Sequence, residues 1–204
     1  VLYGSCQNLK VVDAVIDGTS QAIGIIGGYI GTTGKTASLK NVSVTGEVNG
    51  TNHRAGGYAG QVVEATFEDC DADVTVKGKQ AVGGFAGKVT GTCSFKGCDV
   101  KASVTTIYTE KHQTGGFIGY LDGSTITVES CNLLEGSTVT DGSSVTETVV
   151  SSIGGFFGWA GASDKVDVKN TSASVAVNAP YARNVGGFIG VIGKGTFKTS
   201  GVKV

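Results

Sequence analysis

The sequence predicts an all-β chain wound as a parallel β-helix, or β-solenoid. Three observations carry that prediction: an excess of glycine, one glycine-rich pentapeptide recurring at intervals of about thirty residues, and alternation of apolar and polar residues in the stretches between. Of 204 residues, 34 are Gly and 1 is Pro. So much glycine penalises long helices, which excludes an all-α architecture. Collagen is excluded as well, because Pro is nearly absent and Gly does not fall at every third position.

The pentapeptide occurs six times, as Gly27-Gly28-Tyr29-Ile30-Gly31, Gly56-Gly57-Tyr58-Ala59-Gly60, Gly83-Gly84-Phe85-Ala86-Gly87, Gly115-Gly116-Phe117-Ile118-Gly119, Gly154-Gly155-Phe156-Phe157-Gly158 and Gly186-Gly187-Phe188-Ile189-Gly190. The copies are separated by 29, 27, 32, 39 and 32 residues. Their aromatics are expected to stack as a ladder. Their paired glycines are expected at corners, where φ is positive or where one backbone closely approaches another.

A second block follows each of the six pentapeptides and a seventh copy precedes the first, each with an apolar residue three places before a small one. The pairs are Tyr3/Cys6, Leu39/Val42, Phe67/Cys70, Phe95/Cys98, Val128/Cys131, Val168/Thr171 and Phe197/Ser200. Period-2 apolar positions come next, such as Val74 and Val76, or Ala102 and Val104. A unit of thirty residues cannot close a core alone, so its physical meaning is coil stacked on coil. Six to seven coils at about 4.8 Å each give a rod of roughly 30 Å.

Residues 1–204 are thus expected to form one repeat array, with residues 132–152 as a surface insertion in the longest interval. That insertion is rich in Ser, Thr and Asp around Val139, Val145, Val149 and Val150. The missing Met implies a processed product or an excised piece of a larger protein.

The run Val82-Gly83-Gly84-Phe85-Ala86-Gly87, followed by Thr92-Cys93-Ser94-Phe95-Lys96-Gly97-Cys98, resembles the GLUG-type repeat of bacterial surface and adhesin-like proteins. That repeat also occurs in the non-catalytic part of some immunoglobulin A peptidases. The resemblance covers essentially the whole chain, with an aromatic where the family typically carries Leu. It implies a secreted or surface-attached β-solenoid that serves as stalk or display module, and it brings no active site to carry over.

The residues themselves point the same way. A net charge of −1 and a pI near 6.1 give no electrostatic reason for a nucleic-acid partner. No apolar run is long enough to insert in a membrane. The two histidines, His53 and His112, lie about one intervening coil apart and outside any His-Glu-x-x-His context, so both are expected to be solvated corner residues. Gly31-Thr32-Thr33-Gly34-Lys35-Thr36 ends like a phosphate loop but has Tyr29 where that loop requires its first Gly, so a turn is expected. No cofactor and no catalytic residue is assigned.

Asp69, Asp71 and Asp73 should share one face, with Asp99 stacked on Asp71 and Lys101 on Asp73. Such a face is a charged, solvated surface, a candidate Ca²⁺ site or a polysaccharide-cleaving pair. Cys6, Cys70, Cys98 and Cys131 are expected at one repeat position as buried thiols, with Cys93 and Cys98 the pair best placed to depart from that.

Trp159 stands where other copies carry Gln61, Lys88, Tyr120 and Val191. It either packs under the insertion or, beside Tyr120, stacks on a sugar ring or a partner. Glycosylation sequons begin at Asn41, Asn49 and Asn170. The expected function is adhesion or spacing at the cell surface, through a host or neighbouring-cell glycan or protein ligand. A head-to-tail filament subunit joined through open coil ends and a glycan-active β-helix enzyme are the alternatives.

Overall fold

The computed structural model describes residues 1–107, 110–142, 151–161 and 163–204, and the regular secondary structure of those residues is strand throughout. About six turns of about 32 residues each wind into a parallel β-solenoid. In one central turn the strands are Ala81–Gly83, Ala86–Lys96 and Asp99–Thr106. The short strands, from Ala22–Ile23 to Asn184–Gly186, align in a six-stranded sheet, and the others form a 14-stranded sheet. Equivalent residues stand side by side: Val82 lies between Ala55 and Thr114, and Val104 between Val76 and Val139.

Two columns of rings fill the interior. Tyr58, Phe85, Phe117, Phe156 and Phe188 stack face to face, with successive centroids 4.4, 5.2, 4.6 and 5.1 Å apart. Phe67 and Phe95 stack in a second column at 5.0 Å and meet the first edge-on. Ring geometry of this kind adds to the transfer of apolar area from water.

Of the two explanations open for the paired glycines, close approach is the one realised. Their φ values are not left-handed. A Cβ on Gly84 would collide with the Gly116 carbonyl oxygen of the next coil and stand 2.6 Å from the Ala102 methyl. Left-handed backbone recurs instead in a corner column, which in the five interior copies lies just before the small residue of the second block. Asn8, Asn41, Asp69, Gly97, Ser130, Asn170 and Gly201 have φ of 54, 52, 52, 62, 54, 49 and 64°. Asn, Asp and Gly tolerate this conformation best, which explains most of that column.

The small position beside that corner also has a chemical requirement. The thiols of Cys70, Cys98 and Cys131 donate to the carbonyl oxygens of Glu68, Lys96 and Glu129 at 3.3–3.4 Å. Thr171 makes the same bond to Lys169 O at 2.9 Å. A compact side chain with a donor therefore satisfies a corner carbonyl in four successive turns.

Both ends of the array depart from the expected alignment. Tyr29 pairs with Gln61, while Ile26 takes the inward position and its N–H donates to Tyr58 O at 3.0 Å. The first structural copy is thus Gly24-Ile25-Ile26, and the ladder holds five aromatics rather than six. Gly27 and Gly28 lie further along, with Gly27 opposite Ala59. Cys6 pairs with Leu39, and Leu9 with Val42, so Cys6 is outside the cysteine column. At the other end Phe197 pairs with Val166, and Thr199 with Val168.

The expected surface insertion also divides. Asn132–Asp141 is a strand of the stack, between Asp99–Thr106 and Ser172–Asn178, and Val139 is buried in it. Two extra residues bulge between Leu133 and Thr138, near Gly136 with φ of 86°. Val145, Val149 and Val150 lie outside the described residues.

Candidate ligand-binding groove

Two columns of residues run along the solenoid where each short strand bends into the next, and a groove forms between them where both reach the surface. One wall is the outward column Tyr29, Gln61, Lys88, Tyr120, Trp159 and Val191, in register across adjacent strands. The sequence alignment of Trp159 with Gln61, Lys88, Tyr120 and Val191 is therefore spatial. The other column is Ala22, Arg54, Ala81, Gln113, Ser152 and Asn184, of which Arg54 and Asn184 are half-buried and the rest buried.

The chemistry changes along this groove. Near its start Arg54 spans it, donating to Tyr29 Oη at 3.2 Å and Gln61 Oε1 at 2.7 Å. In the next coil Ala81 replaces that long side chain. Lys88 turns to Asp122 at 2.6 Å, its ammonium 5.1 Å from the centre of the Tyr120 ring. Burial and the neighbouring Asp122 charge raise the Tyr120 phenol above its ordinary pKa. Beyond this point the groove opens into a cleft of about 200 Å³ lined by Gln80, Lys111, Gln113, Tyr120 and Trp159. Gln113 is only 6% exposed, and the Lys111 ammonium lies 5.5 Å from the centre of the Trp159 ring. Tyr120 and Trp159 are each half-buried.

Gln80, Gln113 and Lys111 were not legible as site residues. Their signal is positional: Gln113 stands two residues before Gly115, at the register place of Arg54, and Gln80 shares the place of His53 and His112.

The carboxylate face is only partly as expected. Asp71 and Asp73 are exposed on one strand, and Lys101 pairs with Asp73 in register. Asp69 instead occupies the left-handed corner and leaves that face. Asp71 Oδ1 accepts the Asp99 N–H at 3.0 Å, and Asp99 Oδ1 accepts from Asn132 Nδ2 at 2.8 Å. These carboxylates join coil to coil. Among the described residues no group of three or more His, Cys, Asp or Glu is placed to hold a metal ion.

The remaining candidates resolve individually. His53 is half-buried, with Nδ1 2.5 Å from Gln80 Oε1. His112 is 2% exposed, which corrects the expectation of a solvated histidine. Its Nδ1 lies 2.7 Å from Glu110 O and its Nε2 3.8 Å from Asp141, the buried last residue of the strand Asn132–Asp141. Gly31 to Thr36 is a turn closed by Thr32 and Lys35, and the Gly34 N–H donates to Glu64 Oε2 at 2.8 Å. A carboxylate thus holds the amide that a phosphate loop would offer.

All five cysteines are free thiols, with Cys6 half-buried and the others buried, so Cys93 and Cys98 do not bridge. Burial pushes the Cys93 thiol up to about 11, and hydrogen bonding to Cys131 and Cys70 together with burial holds Cys98 protonated far above its ordinary range. Of the sequon residues, Asn41 and Asn49 donate side-chain bonds to Asn8 and Asp17 at 2.8 and 2.9 Å, and Asn170 occupies the corner column.

Residues 78–105 match the family described as the GLUG motif. Among solved structures, a candidate immunoglobulin A1 protease from Bacteroides ovatus is similar, with a TM-score of 0.70 and 21% identity over 98% of this chain. The chain spans 60% of the length of that structure, and at this identity the likeness shows the fold. No curated protein matches the chain.

Proposed function

The chain carries a GLUG repeat within a parallel β-solenoid, and from that premise we propose that it is a non-catalytic module of a secreted or surface-displayed protein, serving adhesion and spacing. The observation that carries the reading is the use made of the outward carboxylates. An enzyme of the polysaccharide-cleaving kind needs two carboxyl groups free to exchange protons with substrate. Asp71 and Asp99 are instead engaged by the Asp99 N–H and the Asn132 amide, as rungs between coils. The groove described above supplies the surface on which a glycan or protein ligand would be held.

Purified protein is incubated with a panel of acidic polysaccharides, and new unsaturated or reducing ends are measured beside binding to a glycan and matrix-protein array. Binding without cleavage is expected. Cleavage abolished by Asp71→Asn or Asp99→Asn would overturn the reading in favour of an enzyme.

Self-association is the second reading. The outermost coils leave Val12 and Val15 at one end and Val185 and Ile192 at the other 50–65% exposed, an apolar surface on which a further coil or a second copy would stack. A concentration-dependent increase in mass by light scattering is the outcome that favours it.

A further inference from the structure

Between the two columns the chain's own contacts fill the first coils, and a cleft is present where Gln113, Tyr120 and Trp159 meet. Arg54 satisfies Tyr29 and Gln61, and Lys88 satisfies Asp122. One register place along from Ala81, Gln113 brings a short amide in place of a long cation, and the cleft of about 200 Å³ begins there. Tyr120 and Trp159 are opposite one another on adjacent strands, so their backbones stand about 4.8 Å apart along the rod and both side chains line the cleft.

Two neighbouring aromatic side chains offer an apolar surface to the C–H face of a pyranose. The Gln113 carboxamide offers a donor and an acceptor to its hydroxyls, and Gln80, whose Oε1 is held by His53 Nδ1, offers its N–H donors. Close packing around Gln113, 6% exposed, restricts the rotamers open to that amide, which lowers the ordering cost of binding. Lys111 is the charged side chain among the described residues lining the cleft, and no carboxylate lines it with them. Its flexible stem lets the ammonium swing from the Trp159 ring to an anionic group on a ligand. The volume is below the roughly 300–1,000 Å³ of sites that enclose drug-sized molecules, which matches one sugar ring better than a buried oligosaccharide.

We propose that the Tyr120–Trp159 cleft is a recognition subsite for a single carboxylate-bearing sugar, stacked on the two aromatics, hydrogen-bonded by Gln80 and Gln113 and paired through its carboxylate with Lys111. The inference rests on the adhesion reading and names the ligand class for it.

Trp159 is the only tryptophan of the chain, so its fluorescence reports on the cleft directly. The protein is titrated with glucuronate and with N-acetylneuraminate, with glucose as the neutral control. A saturable change in emission is expected for at least one acidic sugar, with Kd on the order of 1 mM, and binding at least tenfold weaker for glucose. Lys111→Glu is expected to weaken the acidic sugar at least tenfold while leaving Tm unchanged, since this side chain is exposed.

An emission spectrum unmoved by either acid, equal binding of glucose, or undiminished binding by Lys111→Glu overturns the proposal. So does a cleft that responds to an acidic peptide and to neither sugar. The adhesion reading is separated by arraying wild type and Trp159→Ala, with folding checked by circular dichroism. Glycan binding retained in Trp159→Ala removes the subsite and keeps adhesion. A blank array with an intact titration removes adhesion and keeps the subsite.

Discussion

Tyr58 and Phe85 lie ring on ring, 4.4 Å apart and 8° from parallel, although 27 residues separate them in sequence. Both are 0% exposed. Truncating the central ring leaves a cavity with neighbours above, below and edge-on. Phe85→Ala is expected to destabilise by about 3–5 kcal/mol. Tyr29→Ala, which the pentapeptide pattern alone would rank as equivalent, should cost about 1 kcal/mol, because Tyr29 is in the groove. Urea denaturation of the two variants decides whether the ladder begins at Tyr58.

Glycine substitutions should separate close approach from backbone conformation. Gly84→Ala forces a methyl into the Gly116 carbonyl, and the stack can relieve that only by separating two coils. A loss of more than about 3 kcal/mol, or failure to fold, is expected. Gly34→Ala meets open space and carries only the strain of φ 76°, about 1–2 kcal/mol. Similar losses at the two positions would show that the paired glycines do not set the spacing between coils.

The corner hydrogen bond predicts which replacements the thiol column accepts. Cys131→Thr should retain stability to within about 1 kcal/mol, since Thr171 makes the same bond one coil along. Cys131→Ala loses both the donor and volume and should cost about 2 kcal/mol. Thermal melts at one pH and protein concentration distinguish the pair.

Stability should fall in alkali through Cys93. Burial raises its thiol from 9.0 to about 11 in the folded chain, so between those values the folded state binds the proton that the unfolded state has released. The contribution is present in full below about pH 9 and is lost as pH rises towards 11, a change of about 2–3 kcal/mol. Cys93→Ala fits a position that is Ala37 and Ala65 in earlier coils, and it should flatten this part of the profile. Parallel profiles for wild type and variant would exclude Cys93 as the cause.

The interior copies were legible because each is packed from both sides, so the same residue types recur at the same places. At Gly27-Gly28-Tyr29 the pattern recurs in letters but not in space, and the inward place belongs to Ile26. A better guide lay in the corner residue. Asn8, Asn41, Asp69, Gly97, Asn170 and Gly201 are types suited to left-handed backbone, and each directly precedes the small position. That column assigns Leu9 and Val202 to the small position, in place of Cys6 and Ser200. The candidate cleft was half legible. Tyr120 and Trp159 were visible as outward aromatics, whereas Gln80, Lys111 and Gln113 become neighbours only through the bend between two strands.

The bonds that join one coil to the next run along the rod, since neighbouring strands belong to successive coils. A pull spread evenly along that axis loads all the bonds of a coil boundary together. A pull on a loosened end instead strips them one after another. Mechanical resistance therefore depends on where along the stack the load enters more than on the number of coils, and tethering the molecule by different coils in a force spectrometer would expose that difference.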